Sequence, residues 1–109
     1  MNVRLYLWQR LSAALMLPLV LVHLAVIFYA MRRGFSAADI LARTRGSVAW
    51  AAFYGVFVLA AAVHAPIGLR TVLSEWTALA PCTRDVTVIG FGILLVVLGL
   101  RAVAAVVLP

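Results

Sequence analysis

Three apolar runs, residues 6–31, 47–73 and 85–108, dominate this sequence and set what it can fold into. Each approaches or exceeds the roughly 20 residues that a helix needs to cross the hydrocarbon of a bilayer. A chain inside lipid must pair its backbone N–H and C=O groups internally, so runs of this length predict helices. Composition agrees, since 67% of the 109 residues are hydrophobic and 11% charged. The mean hydropathy is +1.17, and soluble domains are only roughly half apolar. The expected fold class is an all-α membrane protein of one domain, 1–109. Helix I covers about 5–31, helix II about 47–74 and helix III about 85–108, with a short interfacial helix in the first loop.

The first run continues past the short apolar core of a secretory signal, and no small-residue cleavage pattern ends it, so it reads as a retained helix. Residues 32–46 hold four arginines and the stretch Ser36-Ala37-Ala38-Asp39, which has the form of a capping-box start. A brief amphipathic helix over 37–42 follows, with Ile40 and Leu41 dipping into the interface. Gly46-Ser47 then caps helix II. The second connection, 74–84, contains Pro81 and leads to Asp85 as the N-cap of helix III. Cys82 is the single cysteine, so no disulfide forms within the chain, and it reads as a loop thiol.

The net charge of +6 comes from nine arginines against Asp39, Glu75 and Asp85. The arginines fall mainly at helix ends and in loops, where they meet lipid headgroups, and Arg101 snorkels out of helix III. Nucleic-acid binding is not expected. Arg4, Arg10, Arg70 and Arg84 share one membrane side, and Arg32, Arg33, Arg43, Arg45 and Arg101 the other. The positive-inside rule taken literally leans towards an outside N-terminus.

No zinc-type Cys/His cluster, Ser/His/Asp set, glycine-rich phosphate loop or pair of buried carboxylates is found in the sequence, so hydrolytic and phosphoryl-transfer chemistry has almost no support. What remains is His23 and His64, each inside an apolar helix. An imidazole in lipid is costly unless it is paired, solvated or bound to a metal. Helix I presents Ser12, Met16, Leu19 and His23 on one face, and Pro18 predicts a kink. Helix II presents Phe53, Phe57, Ala60, His64, Gly68, Thr71 and Glu75 at three- and four-residue steps. Large rings stand at one end of that face and small residues surround the histidine, as a flat macrocycle or close helix packing requires. Measured from Arg70 and Arg10, the two imidazoles differ in depth by about 10 Å. Two axial ligands of one iron must be nearly level, so each histidine needs a partner from another chain.

Leu7-Trp8-Gln9-Arg10-Leu11-Ser12-Ala13, together with His64-Ala65-Pro66-Ile67-Gly68-Leu69-Arg70 and the pair Glu75-Trp76, resembles the small cytochrome b membrane-anchor subunits of succinate dehydrogenase. The similarity covers most of the chain in its three-helix layout and loop lengths. It implies that His64 is the axial ligand of heme b, shared with a histidine of a companion anchor subunit. It implies that Glu75 and Trp76 stand beside the quinone pocket and that Arg70 pairs with a heme propionate, with anchoring at the membrane interface as the alternative; Gly68 either lets the heme edge approach or is a packing residue. Arg10 and Ser12, at the same membrane face, could line that quinone pocket or simply solvate the helix end. The family usually has tyrosine where Trp76 stands, and an indole N–H donates one hydrogen bond but cannot accept or ionise.

The resemblance also implies an iron-sulfur subunit and a flavoprotein subunit that carry succinate oxidation, with this chain not an enzyme by itself. It implies a bacterial inner membrane with the N-terminus cytoplasmic. His23 either ligates a second heme at its own depth or hydrogen-bonds across helices. A heme-free structural or transporter-like helical subunit is the alternative to the whole reading.

Overall fold

The computed structural model of the chain describes residues 2–109. Among them are four helices and no strand: α1 Val3–Arg33, α2 Ala37–Thr44, α3 Val48–Trp76 and α4 Pro81–Val107. Three of these are long and apolar enough to cross a membrane. The molecule measures 48 × 23 × 22 Å, so its long axis matches the roughly 40–45 Å of a bilayer with its headgroups.

Side-chain caps define most helix starts. Asn2 accepts from Leu5 N–H at 2.9 Å, Ser36 from Asp39 N–H at 3.1 Å and Ser47 from Trp50 N–H at 3.2 Å, each satisfying a donor that a first turn leaves orphaned. The Ser36 hydroxyl also donates to the Asp39 carboxylate at 2.6 Å. The last spanning helix differs from expectation, for Asp85 is not its N-cap. Proline lacks only an N–H that the first helical position would leave unpaired and has its φ already set, so α4 starts at Pro81, with Ala80 as N-cap. Cys82 therefore stands exposed in a helical first turn and not in a loop. Pro18 and Pro66 lie inside α1 and α3, both of which run on through them.

The middle spanning helix α3 packs against α1 on one side and α4 on the other, while α1 and α4 have little contact. Small residues set the second seam. A Cβ added to Gly99 would stand 2.5 Å from Val58 Cγ1, and one added to Gly92 would stand 3.1 Å from Pro66 Cγ, so α4 lies as close to α3 as bare backbone permits. On α1 the predicted face is the one turned inward. Ser12 is buried, Met16, Leu19 and His23 are half-buried, and Leu15, Leu17 and Leu21 are exposed.

The short helix α2 folds onto the end of α4. The Thr44 hydroxyl donates to the Val106 carbonyl at 2.6 Å, and Gly46 N–H donates to the Val107 carbonyl at 2.7 Å. These bonds satisfy carbonyls that the last turn cannot pair by itself. Gly46 has φ +74°, a left-handed conformation that glycine adopts without a Cβ clash. Ile40 was expected to dip into the membrane interface; it lines a cavity between the helices instead.

Apolar burial is sparse. Among the described residues the buried hydrophobics are Ala30, Ala60, Val88 and Val107, while Leu17 (64%), Phe28 (63%) and Val97 (58%) stand outward on the spanning helices. A water-soluble monomer does not carry such a surface, and lipid or further helices are its natural surroundings.

Candidate functional site

At the seam of α1 and α3 the sequence places three polar side chains and a glycine on facing turns. Ser12 Oγ lies 3.3 Å from His64 Nδ1 and 3.1 Å from the Gln9 carbonyl. A serine has one hydrogen to give. When that hydrogen goes to Gln9, Ser12 accepts from His64 Nδ1–H and the lone pair of the ring falls on Nε2; when it goes to His64, Ser12 donates to Nδ1 and the proton sits on Nε2. The first is the tautomer a metal-ligating histidine uses when its other nitrogen is held by a second group. Ser12 is 6% exposed, so water does not compete for this bond.

One turn along, Gly68 faces Gln9. A Cβ at Gly68 would meet Gln9 Nε2 at 3.4 Å, ordinary van der Waals contact. Gln9 Oε1 is buried without a hydrogen-bond partner. An amide oxygen in that state is costly unless a donor from outside the chain reaches it. Sequence reading placed Gln9 on the first turns of helix I without giving it a role; its position three residues before Ser12 was the available signal.

The remaining predicted residues are dispersed. Arg10 donates to the Tyr6 hydroxyl at 3.3 Å and lies over its ring at 5.6 Å, exposed on α1. Arg70 Nε donates to Asp85 Oδ1 at 3.5 Å. Arg84 Nε lies 3.5 Å from the same oxygen, so Asp85 bridges two arginines at the α3–α4 turn. Glu75 and Trp76 close α3 and are exposed, Trp76 at 81%. The structure brings Ser12, His64, Gly68 and Gln9 together and leaves Arg10, Arg70, Glu75 and Trp76 on the surface at the same end of the bundle.

His23 occupies a separate site. Its ring meets Tyr54 edge-on at 5.9 Å and Phe57 edge-on at 5.4 Å, and its Nδ1 is buried with no partner. Eleven residues of helix separate it from Ser12, and hence from the level of His64, by about 16 Å. Counting from Arg10 and Arg70 gives less because it treats those arginines as level. In fact Gln9 lies opposite Gly68, which sets Arg10 deeper than Arg70. The two histidines cannot share one metal within this chain, and among the described residues no three His, Cys, Asp or Glu side chains group to hold an ion.

Fold and surface together define an integral membrane protein with three spanning helices and a short fourth helix capping the last. Comparison with family models, curated proteins and solved structures gives no match for this chain.

Proposed function

We propose that this chain is a membrane-anchor subunit of a succinate:quinone oxidoreductase, ligating heme b through His64 and helping to build a quinone site. The observation that carries the reading is the Ser12–His64 contact at 3.3 Å. It orients the imidazole and, in the tautomer with Ser12 as acceptor, holds the ring proton on Nδ1 and leaves the Nε2 lone pair for a metal. A bound heme would supply one-electron transfer, with His64 as one ligand to it and a histidine of a companion anchor subunit as another.

In this reading Ser12 acts on His64 and not on quinone. Gly68 keeps α3 close to Gln9, whose unpartnered Oε1 can accept from a group entering the seam. Arg70 spends one N–H on Asp85, and a guanidinium has four more for a propionate. Trp76, Glu75 and Arg10 lie exposed at the same end, open to an iron-sulfur subunit and to a quinone between the two. The flavoprotein and iron-sulfur subunits carry succinate oxidation. The membrane is a bacterial inner membrane with the N-terminus cytoplasmic, an orientation drawn from the resemblance and against a one-arginine imbalance.

A heme-free structural or transporter-like subunit is the competing reading. It is favoured by the same bond, since Ser12–His64 also ties α1 to α3. A Soret band from the purified anchor complex supports the first reading; no band after heme supplementation supports the second.

A further inference from the structure

We infer that the end of the bundle where α1 stops and α2 lies across α4 binds an anionic phospholipid and selects it over zwitterionic lipid. Arg32 and Arg33 close α1, Arg43 and Arg45 flank Thr44 at the end of α2, and Arg101 stands about 9 Å before the end of α4. The fold gathers them. Thr44 and Gly46 bond to the carbonyls of Val106 and Val107, which ties α2 to α4. Arg43 lies over the Tyr29 ring at 5.5 Å, which ties α2 to α1. Arg32, Arg33, Arg45 and Arg101 are exposed and Arg43 is half-buried, so a ligand can reach all five.

The second observation is the balance of charge between the two ends. This end sets five arginines against Asp39 alone, a side-chain charge of +4, whereas the other sets four against Glu75 and Asp85, a charge of +2. Both ion pairs among the described residues are at that other end, where Asp85 serves Arg70 and Arg84. Asp39 accepts instead from the Ser36 hydroxyl. Five guanidiniums at the α2 end therefore have no carboxylate partner among the described residues. Seating Arg43 on a ring face leaves its N–H donors free for an anion. These groups stand where the spanning helices leave the hydrocarbon, and the anion of that layer is the lipid phosphate. A zwitterionic headgroup brings a cation with every phosphate and leaves the +4 in place. A headgroup of net negative charge cancels it. None of this rests on the heme reading.

Native mass spectrometry of the full chain in detergent micelles, titrated with phosphatidylglycerol or phosphatidylcholine, counts bound lipid directly. Phosphatidylglycerol should bind saturably and more tightly than phosphatidylcholine. Arg33→Gln combined with Arg45→Gln, both at exposed positions, should weaken it about fivefold per arginine, as loss of an arginine beside anionic headgroups does. Arg4→Gln combined with Arg10→Gln removes the same charge from the opposite end and should leave the affinity unchanged. Asp39→Asn still accepts from Ser36 and should tighten binding, a gain that misfolding does not produce. Equal binding of the two lipids, equal losses from the two pairs of substitutions, or no gain in Asp39→Asn would overturn the proposal. So would displacement of the lipid by inorganic phosphate, since the site would then take a soluble anion.

Discussion

Ser12 Oγ and His64 Nδ1 stand 3.3 Å apart across the seam between the first two spanning helices, 52 residues apart in sequence. One hydroxyl thus links helix packing to the tautomer of a membrane-embedded imidazole. The link runs through the Gln9 carbonyl, 3.1 Å from the same hydroxyl: with the serine hydrogen on that carbonyl, Ser12 is an acceptor for the imidazole.

Removing that acceptor should loosen whatever His64 ligates. Ser12→Ala is expected to weaken heme binding by about 10- to 100-fold, as loss of a group holding a ligating histidine does. Ser12→Thr keeps the oxygen and should stay near wild type. Heme titration followed at the Soret band checks both, and equal affinities for wild type and Ser12→Ala would remove Ser12 from this role.

Trp76 ends α3 with 81% of its surface exposed. Trp76→Phe retains an aromatic ring and deletes the single N–H donor. Quinone reduction by the assembled complex should fall about tenfold, in line with one lost hydrogen bond to the reacting molecule. Succinate oxidation with a soluble artificial acceptor should be unchanged. Equal loss with both acceptors would indicate failed assembly instead.

The seam between α3 and α4 makes a stability prediction. A Cβ on Gly99 would lie 2.5 Å from Val58 Cγ1 and 2.9 Å from Cγ2, and a valine in a helix has one strongly preferred rotamer, so it cannot swing aside. Gly99→Ala should therefore destabilise by about 1–3 kcal/mol in spite of better helix propensity. Val58→Ala in the same chain should restore most of the loss. Denaturant unfolding in micelles measures this, and a neutral Gly99→Ala would mean that the helices separate easily there.

Thr44 closes α2 onto α4 through its bond to the Val106 carbonyl at 2.6 Å. Thr44→Val preserves shape and leaves that part-buried acceptor without its partner, at a cost of about 1 kcal/mol. Faster hydrogen exchange at the ends of α2 and α4, with the middle of α3 unaffected, is the expected readout. Unchanged exchange at both ends would show the contact to be dispensable.

Much of this arrangement is legible from residue spacing. Three apolar runs give three spans, Ser36 and Ser47 mark the starts of α2 and α3 by capping chemistry, and the eleven-residue step from Ser12 to His23 returns both to one face of α1. Contacts between helices are another matter, because periodicity names a face but not what faces it. That Gln9 lies opposite Gly68, and Ser12 opposite His64, depends on the register of two helices joined through a loop and α2. Thr44 meets Val106 62 residues on, with no local signal. Asp85 was misread because capping preference favours an acid at a helix start, whereas Pro81 at the first helical position starts the helix earlier and frees the carboxylate for Arg70 and Arg84.

The central claim is that His64, and not His23, carries a heme. The most direct measurement is the reduced-minus-oxidised absorption spectrum of the assembled complex, with heme quantified per complex, for wild type, His64→Ala and His23→Ala. The expected result is a b-type spectrum that His64→Ala abolishes and His23→Ala leaves intact. A spectrum unchanged by His64→Ala, or no heme in the wild-type complex, would contradict it.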